Sequence, residues 1–316
     1  MTDRLRPALL LPALLGVALL PLAATDSVLT VAIHLFHVAA LAASWNILAG
    51  FTGQISLGHA AFFGVGALVA RALWLGQGAV EIVARGGAPF PVAFVLGGAA
   101  AGVVALVVGA PALRLRAVTF AIATLALAEA ARITVGNSLP TVTALPAAAL
   151  RGYGLTSRYL LALGVLLLTL AVAALLCRSR LGLAMDAVRQ DEAAARAVGI
   201  NAFRLKLLAF VLSATLAGLA GGSFAYFHVS YYPTLPFSPE WTFDALVVTF
   251  VGGVGTLAGP ILGAAFFVLA QELLAGSCRG LHLLLFGVLF IAVVLAAPGG
   301  LMALQARLRS RLGAGQ

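Results

Sequence analysis

Long apolar runs separated by short polar or glycine-rich gaps are the dominant pattern of this chain. They fall at about 8–24, 28–50, 56–76, 90–110, 117–135, 159–177, 205–227, 243–253, 256–275 and 281–297. A bilayer core is about 30 Å thick and takes about 20 apolar residues per helix, so the pattern predicts an all-α, polytopic transmembrane helical bundle of about 8 to 10 helices. No stretch reads as a separate soluble unit, so residues 1–316 are expected to form a single transmembrane domain.

Two runs are short or broken, and both breaks are rich in glycine. The first reads Gly53-Gln54-Ile55-Ser56-Leu57-Gly58-His59 and the second Gly253-Val254-Gly255-Thr256-Leu257-Ala258-Gly259. Both follow Gly-x-x-[Ser/Thr]-Leu and, allowing one inserted residue, lead into a small-residue helix, which suggests an internal repeat. Unwound backbone inside a membrane must be buried in protein or line a watery cavity, because lipid supplies no hydrogen-bond partners. Paired interruptions therefore point to a solute pathway, with Gln54, Ser56, Gly58, His59, Gly253, Thr256 and Gly259 as its candidate residues. Ser56 and Thr256 are suited to cap the helices that begin there, leaving a positive dipole end that favours a carboxylate. The same glycines also read as contact points for close helix packing, and Gln54 and His59 as braces of the loop.

Composition sharpens the membrane reading. Hydrophobic residues make up 62% and charged residues 9% of the chain, against about a quarter charged in soluble domains. The net charge of +9 would suit nucleic acid in a soluble protein, but here the basic residues occupy the gaps. If the N-terminus is cytoplasmic, 13 of the 19 Lys and Arg fall on the cytoplasmic side, among them Arg4, Arg6, Arg114, Arg116, Arg178 and Lys206. That bias predicts both termini inside and argues against a nucleic-acid partner. Residues 1–25 resemble a signal peptide, but the second run follows so closely that a retained helical hairpin is expected.

Other polar groups carry alternatives. Cys177 and Cys278 close separate runs with no disulfide or zinc spacing. His34 and His37 share a helix face, but no third ligand lies near, so no metal or cofactor is expected. Glu129 and Arg132 are spaced as a structural pair near the outer interface. Asp244 and Glu272, in or near apolar runs, would suit proton or cation coupling in a secondary transporter.

The loop 178–204 is built of helix formers, has Glu192 and Arg196 at i,i+4, and offers Gly199 as a stop. It predicts one short amphipathic helix on the cytoplasmic face, with Val188, Val198 and Ile200 on its apolar side.

The run from Trp45-Asn46 through Gly50, Gly53-Gln54, Ser56, Gly58-His59 and Gly64 to Ala67 resembles the signature of the LivH/LivM permeases of branched-chain amino acid ABC importers. Arg114-Leu115-Arg116 with Thr119-Phe120-Ala121, the loop through Glu192, Gly199, Ile200 and Asn201, the tract 252–263, and Pro298-Gly299-Gly300-Leu301 match in the same order. The similarity spans nearly the whole chain and is closer to the LivM type. It implies a multi-pass subunit of the bacterial inner membrane, paired with a LivH-like second permease. Two cytoplasmic ATP-binding subunits would drive the pair, and a periplasmic substrate-binding protein would feed it.

The loop 178–204 would be the coupling helix, with Arg189, Glu192, Arg196 and Gly199 facing the ATPase. Its seven positions from Glu192 to Gly199, where the general pattern has six, put individual contacts in question. Leucine, isoleucine and valine are the implied solutes; urea, short amides and other amino acids stay open. No Gly-x-x-x-x-Gly-Lys-[Ser/Thr] phosphate loop occurs in the sequence, so the chain is expected to be a transport subunit without an ATPase of its own.

Overall fold

The computed structural model describes residues 16–76, 88–139, 143–145, 150, 153–277, 287 and 300–302. Eight long helices build the described bundle: α1 (Asp26–Thr52), α2 (His59–Leu75), α3 (Phe90–Ala112), α4 (Ala117–Ser138), α5 (Leu155–Arg178), α8 (Ala202–Phe227), α9 (Pro239–Gly252) and α10 (Gly259–Ser277). Two short ones, α6 (Arg180–Gln190) and α7 (Glu192–Ala197), lie between α5 and α8. Eight of the ten apolar runs thus become helices with ends within about four residues of expectation. The run at 8–24 lies partly, and that at 281–297 almost wholly, outside the described residues, as do Arg4, Arg6 and Cys278.

Among the described residues, α1, α3, α4, α5 and α8 are long and apolar enough to cross a membrane, while α2 and α10 are apolar but shorter. A polytopic membrane bundle follows. Among the described residues, one small departure from all-α structure occurs: Thr143–Ala144 and Ser230–Tyr231 pair antiparallel at the end of the bundle away from α6 and α7.

The middle of the bundle is α1, α2 and α8. Helix α8 packs on α2, α3 and α1, and 72% of its apolar window is buried, against 28% for α4. Helices α2 and α8 run in the same direction, because His59 at the start of α2 meets Ser213 midway along α8 and Arg71 near the end of α2 reaches the Ala225 carbonyl near the end of α8. They touch backbone to backbone. A Cβ on Gly66 would stand 2.0 Å from the Gly218 carbonyl oxygen, and one on Gly221 1.8 Å from that of Phe63. Without water exclusion to drive association in lipid, such close backbone contact supplies the dispersion energy that holds helices together.

The loop helix differs from expectation in being two helices. Asp191 interrupts it, its Oδ1 accepting from the N–H groups of Ala193 and Ala194 and capping α7. A side chain that can satisfy two orphan donors makes a new helix start cheaper than continuing the old one. Gly199, at φ +87°, ends α7 with Gly199 N–H on Arg196 and Ile200 N–H on Ala195, the paired bonds of a Schellman cap. Val188 and Ile200 face inward as expected, whereas Val198 is 77% exposed.

Candidate functional site

Both glycine breaks come to the end of the bundle where α6 lies. Helix α1 ends at Gly53, whose left-handed conformation (φ +71°) turns the chain out of the helix. From there residues 53–58 climb without regular structure to the start of α2 at His59. Its contacts record the climb. Gly53 lies against Arg189 of α6, while Leu57 N–H donates to Thr124 Oγ1 at 3.1 Å. Thr124 is seven residues, or about 10 Å, along α4, so the unwound stretch penetrates well into the bundle.

The climb is held by bonds to other helices and to its own neighbours. The Ser56 carbonyl accepts from Trp45 Nε1 at 2.8 Å. Ser56 Oγ accepts from Gly58 N–H at 3.3 Å, but it does not cap α2. That duty passes to Thr242 of α9, whose Oγ1 accepts from Ala60 N–H at 2.8 Å. Ser56 is the nearer hydroxyl along the chain, but the one that reaches the helix start lies 182 residues away. Gly58 sits so close to α4 that a Cβ would stand 2.2 Å from the Thr124 carbonyl oxygen.

His59 is fully buried, its Nε2 2.6 Å from Ser213 Oγ. Ser213 donates its own proton to the Ser44 carbonyl at 2.5 Å, so it can only accept from His59. The imidazole therefore carries its proton on Nε2, and Nδ1 is left as a buried acceptor without a partner. Gln54 is also buried, at 4% exposure.

The second break is pinned from α1. Asn46 donates from Nδ2 to the Thr256 carbonyl at 2.9 Å and accepts at Oδ1 from Gly255 N–H at 2.8 Å. Thr256 Oγ1 accepts from Gly259 N–H at 3.0 Å and donates to the Gly253 carbonyl, so here the expected cap at the start of α10 is formed. Gly253 (φ +124°) and Gly255 (φ +78°) take conformations that L side chains rarely adopt. Their neighbours also need the missing side chains: Gly50 packs on Gly255, and Gly300 on Gly253.

Helix α6 closes this end. Arg189 pairs with Asp186 at 2.6 Å, and its side chain lies beside Gly53 and within 3.7 Å of where a Cβ on Gly255 would be. One side chain thus lies beside both breaks. Beside it is a cleft of about 190 Å³ lined by Gly50, Phe51, Cys177, Asp186, Arg189 and Gly255. The Arg189 guanidinium, and then the Gln190 amide, hold the Asp186 carboxyl below its ordinary pKa.

Glu192 joins α7 to α8 by reaching Lys206 at 2.7 Å while also pairing with Arg196. Burial alone would raise its pKa, but the two cations outweigh burial and hold it below the usual carboxylate value.

The candidate residues separate accordingly. Arg189 lies beside Gly53 and Gly255, which were not candidates, Gly253, Thr256 and Gly259 form the second break, and Ser56, Gly58 and His59 lie deeper. Glu192, Arg196 and Gly199 shape α7 without touching either break. Asn46, Thr124, Ser213 and Thr242 also belong to the site, though no motif marks them as site residues. Of these, Asn46 had a usable signal, since an amide inside an apolar run is retained where it has a bond to make. His37 bonds Ser223 and His34 stands edge-on to Trp241, so the two histidines look to different partners. Asp244 is half-buried on α9 and Glu272 exposed on α10.

The family model described as the branched-chain amino acid transport system / permease component matches residues 27–294, a span that includes both breaks and the α6–α7 unit. The chain belongs to this permease family. Among its relatives, the high-affinity branched-chain amino acid transport permease LivM of Escherichia coli is 29% identical over 291 residues, covering 81% of this chain and 65% of the relative. The chain therefore spans under two thirds of that permease's length. A probable LivH of Methanocaldococcus jannaschii is 28% identical over 43% of this chain and 45% of its own. The autoinducer 2 import permease LsrC of Klebsiella pneumoniae is 36% identical over 32% of this chain and 31% of its own. No solved structure matches the chain significantly.

Proposed function

We propose that this chain is the membrane-spanning subunit of an ATP-binding cassette importer that carries leucine, isoleucine, valine or a similar small solute from periplasm to cytoplasm. The observation that carries the coupling is the position of Arg189, whose side chain lies beside Gly53 of one glycine break and Gly255 of the other. A push on α6 from a cytoplasmic ATPase would reach Gly53 and Gly255 through that one side chain. The end bearing α6 and α7 is the basic one, with Arg114, Arg116, Arg178, Arg180 and Lys206, and is assigned to the cytoplasm on that charge. The partners in this reading are a LivH-like second permease, two ATP-binding subunits and a periplasmic binding protein. The names of the LivM and LivH relatives support the solute class, whereas the name of the autoinducer 2 import relative supports a different solute.

Reconstitution in proteoliposomes with these partners tests the reading. Uptake should require internal ATP and the binding protein, and should persist when proton and sodium gradients are collapsed. Uptake that stops on gradient collapse with ATP present would refute it in favour of an ion-coupled carrier using Asp244 and Glu272.

A further inference from the structure

Among the described residues, the membrane-length helix that packs least against the rest of the bundle, α4, also carries an exposed ion pair. Helix α4 buries a single stripe, Phe120, Thr124 and Ala128. On the helical wheel Glu129 points about 140° away from Thr124, so it stands on the outward face with Ile122 and Ile133, both exposed. Arg132 bonds it through Nε at 2.9 Å and Nη2 at 2.5 Å, and the two side chains remain 37% and 41% exposed.

The pair lies deep, not at the outer interface where the sequence reading put it. Thr124 is level with the start of α2, where Leu57 and Gly58 touch it. That start is tied through Ser213 to Ser44 of α1. Glu129 is five residues further out on α4, about 7.5 Å, which corresponds to the neighbourhood of Ala39, the midpoint of Asp26–Thr52.

The outward faces of α3 and α5 show what a lipid-facing surface looks like in this protein. Val95, Val103 and Val107 on α3 and Leu160, Leu168 and Leu175 on α5 are exposed. No charged residue lies within α3, and those of α5, Arg158 and Arg178, stand near its ends. A half-exposed charge pair at mid-depth has no counterpart there, and lipid would leave its outer oxygens and N–H groups without partners.

We propose that the outward face of α4 lines a water-filled route between this chain and the second permease chain, and that Glu129 and Arg132 are its contacts for a zwitterionic solute. Arg132 would take the carboxylate and Glu129 the ammonium group of an α-amino acid, exchanging their mutual bonds for bonds to the solute. The assignment rests on the importer reading. It adds two named solute contacts, Glu129 and Arg132, to that reading.

The test uses the assembled transporter in proteoliposomes. Single cysteines at Ile122 and Ile133, and at Val103 and Leu168 as lipid-facing controls, are treated with charged methanethiosulfonates, the signal of Cys177 and Cys278 in the parent chain being subtracted. The α4 positions should react at least tenfold faster than the controls; equal reactivity would overturn the proposal. This measurement needs no uptake, so it stands apart from the test of the importer reading itself.

Uptake is then measured at saturating loaded binding protein for Glu129→Gln, Arg132→Gln and the exchanged pair Glu129→Arg with Arg132→Glu. Each single change should lower the rate at least tenfold, and the exchanged pair should stay low, because its charges meet the solute in reverse order. Restoration of uptake by the exchanged pair would show a purely structural bridge and remove the solute contact.

Discussion

Replacing Asn46 by leucine tests whether α1 holds the second break in place. The side chains are close in volume, so packing is kept while two hydrogen bonds are lost, those of 2.9 Å to the Thr256 carbonyl and 2.8 Å from Gly255 N–H. Each such bond is worth about 0.5–1.5 kcal/mol net, and both peptide groups are only partly buried, so water can take over some of their bonding. The sum is about 2 kcal/mol, which raises the population of the locally opened break about 30-fold.

Hydrogen exchange followed by mass spectrometry in detergent micelles reads this directly on peptides covering 253–258, since exchange of a locally opening segment reports its opening free energy. Protection should fall about 30-fold in Asn46→Leu and by a smaller factor in Asn46→Asp, which keeps the acceptor for Gly255. Unchanged protection in the leucine variant would refute the claim that Asn46 anchors the break. Equal loss in both variants would refute the division of the anchor between its two bonds.

Thr242→Val should destabilise the start of α2 by about 0.5–2 kcal/mol, seen as a lower melting temperature, whereas Ser56→Ala should cost less because its acceptor serves Gly58 and not the helix. Gly66→Ala should cost about 1–3 kcal/mol or more because its Cβ meets the backbone of Gly218; a melting temperature equal to the parent's would contradict the contact.

The Glu192 bridge to Lys206 should depend on pH. Its folded pKa is depressed, so its contribution is fully present above the unfolded value of about 4.3 and is lost as pH falls through the folded one. Exchange of peptides covering 192–198, corrected for the intrinsic pH effect, should rise in that acid range in the parent, and Glu192→Gln should show the raised exchange already at neutral pH.

Helix positions were legible because lipid imposes a length and an apolar composition on each crossing, and that requirement is written residue by residue. The runs at 28–50 and 90–110 became α1 and α3 almost to the residue for this reason. Gly199 was legible as a helix stop, since a positive φ favours glycine whatever surrounds it.

What tertiary structure decided is which groups answer one another. Ser56 and Thr256 look alike in sequence, yet Thr256 caps its helix and Ser56 does not, because Thr242 arrives from α9 to do so. Glu129 and Arg132 were legible as an i,i+3 pair, but not their depth, which only the register of α4 against α2 sets. Arg189 was singled out for its loop, while its place against both breaks depended on α6 folding back under α1. Periodicity and backbone preference act within about a turn of helix and can be read along the chain. Contacts between residues up to about 200 positions apart arise only when the helices pack.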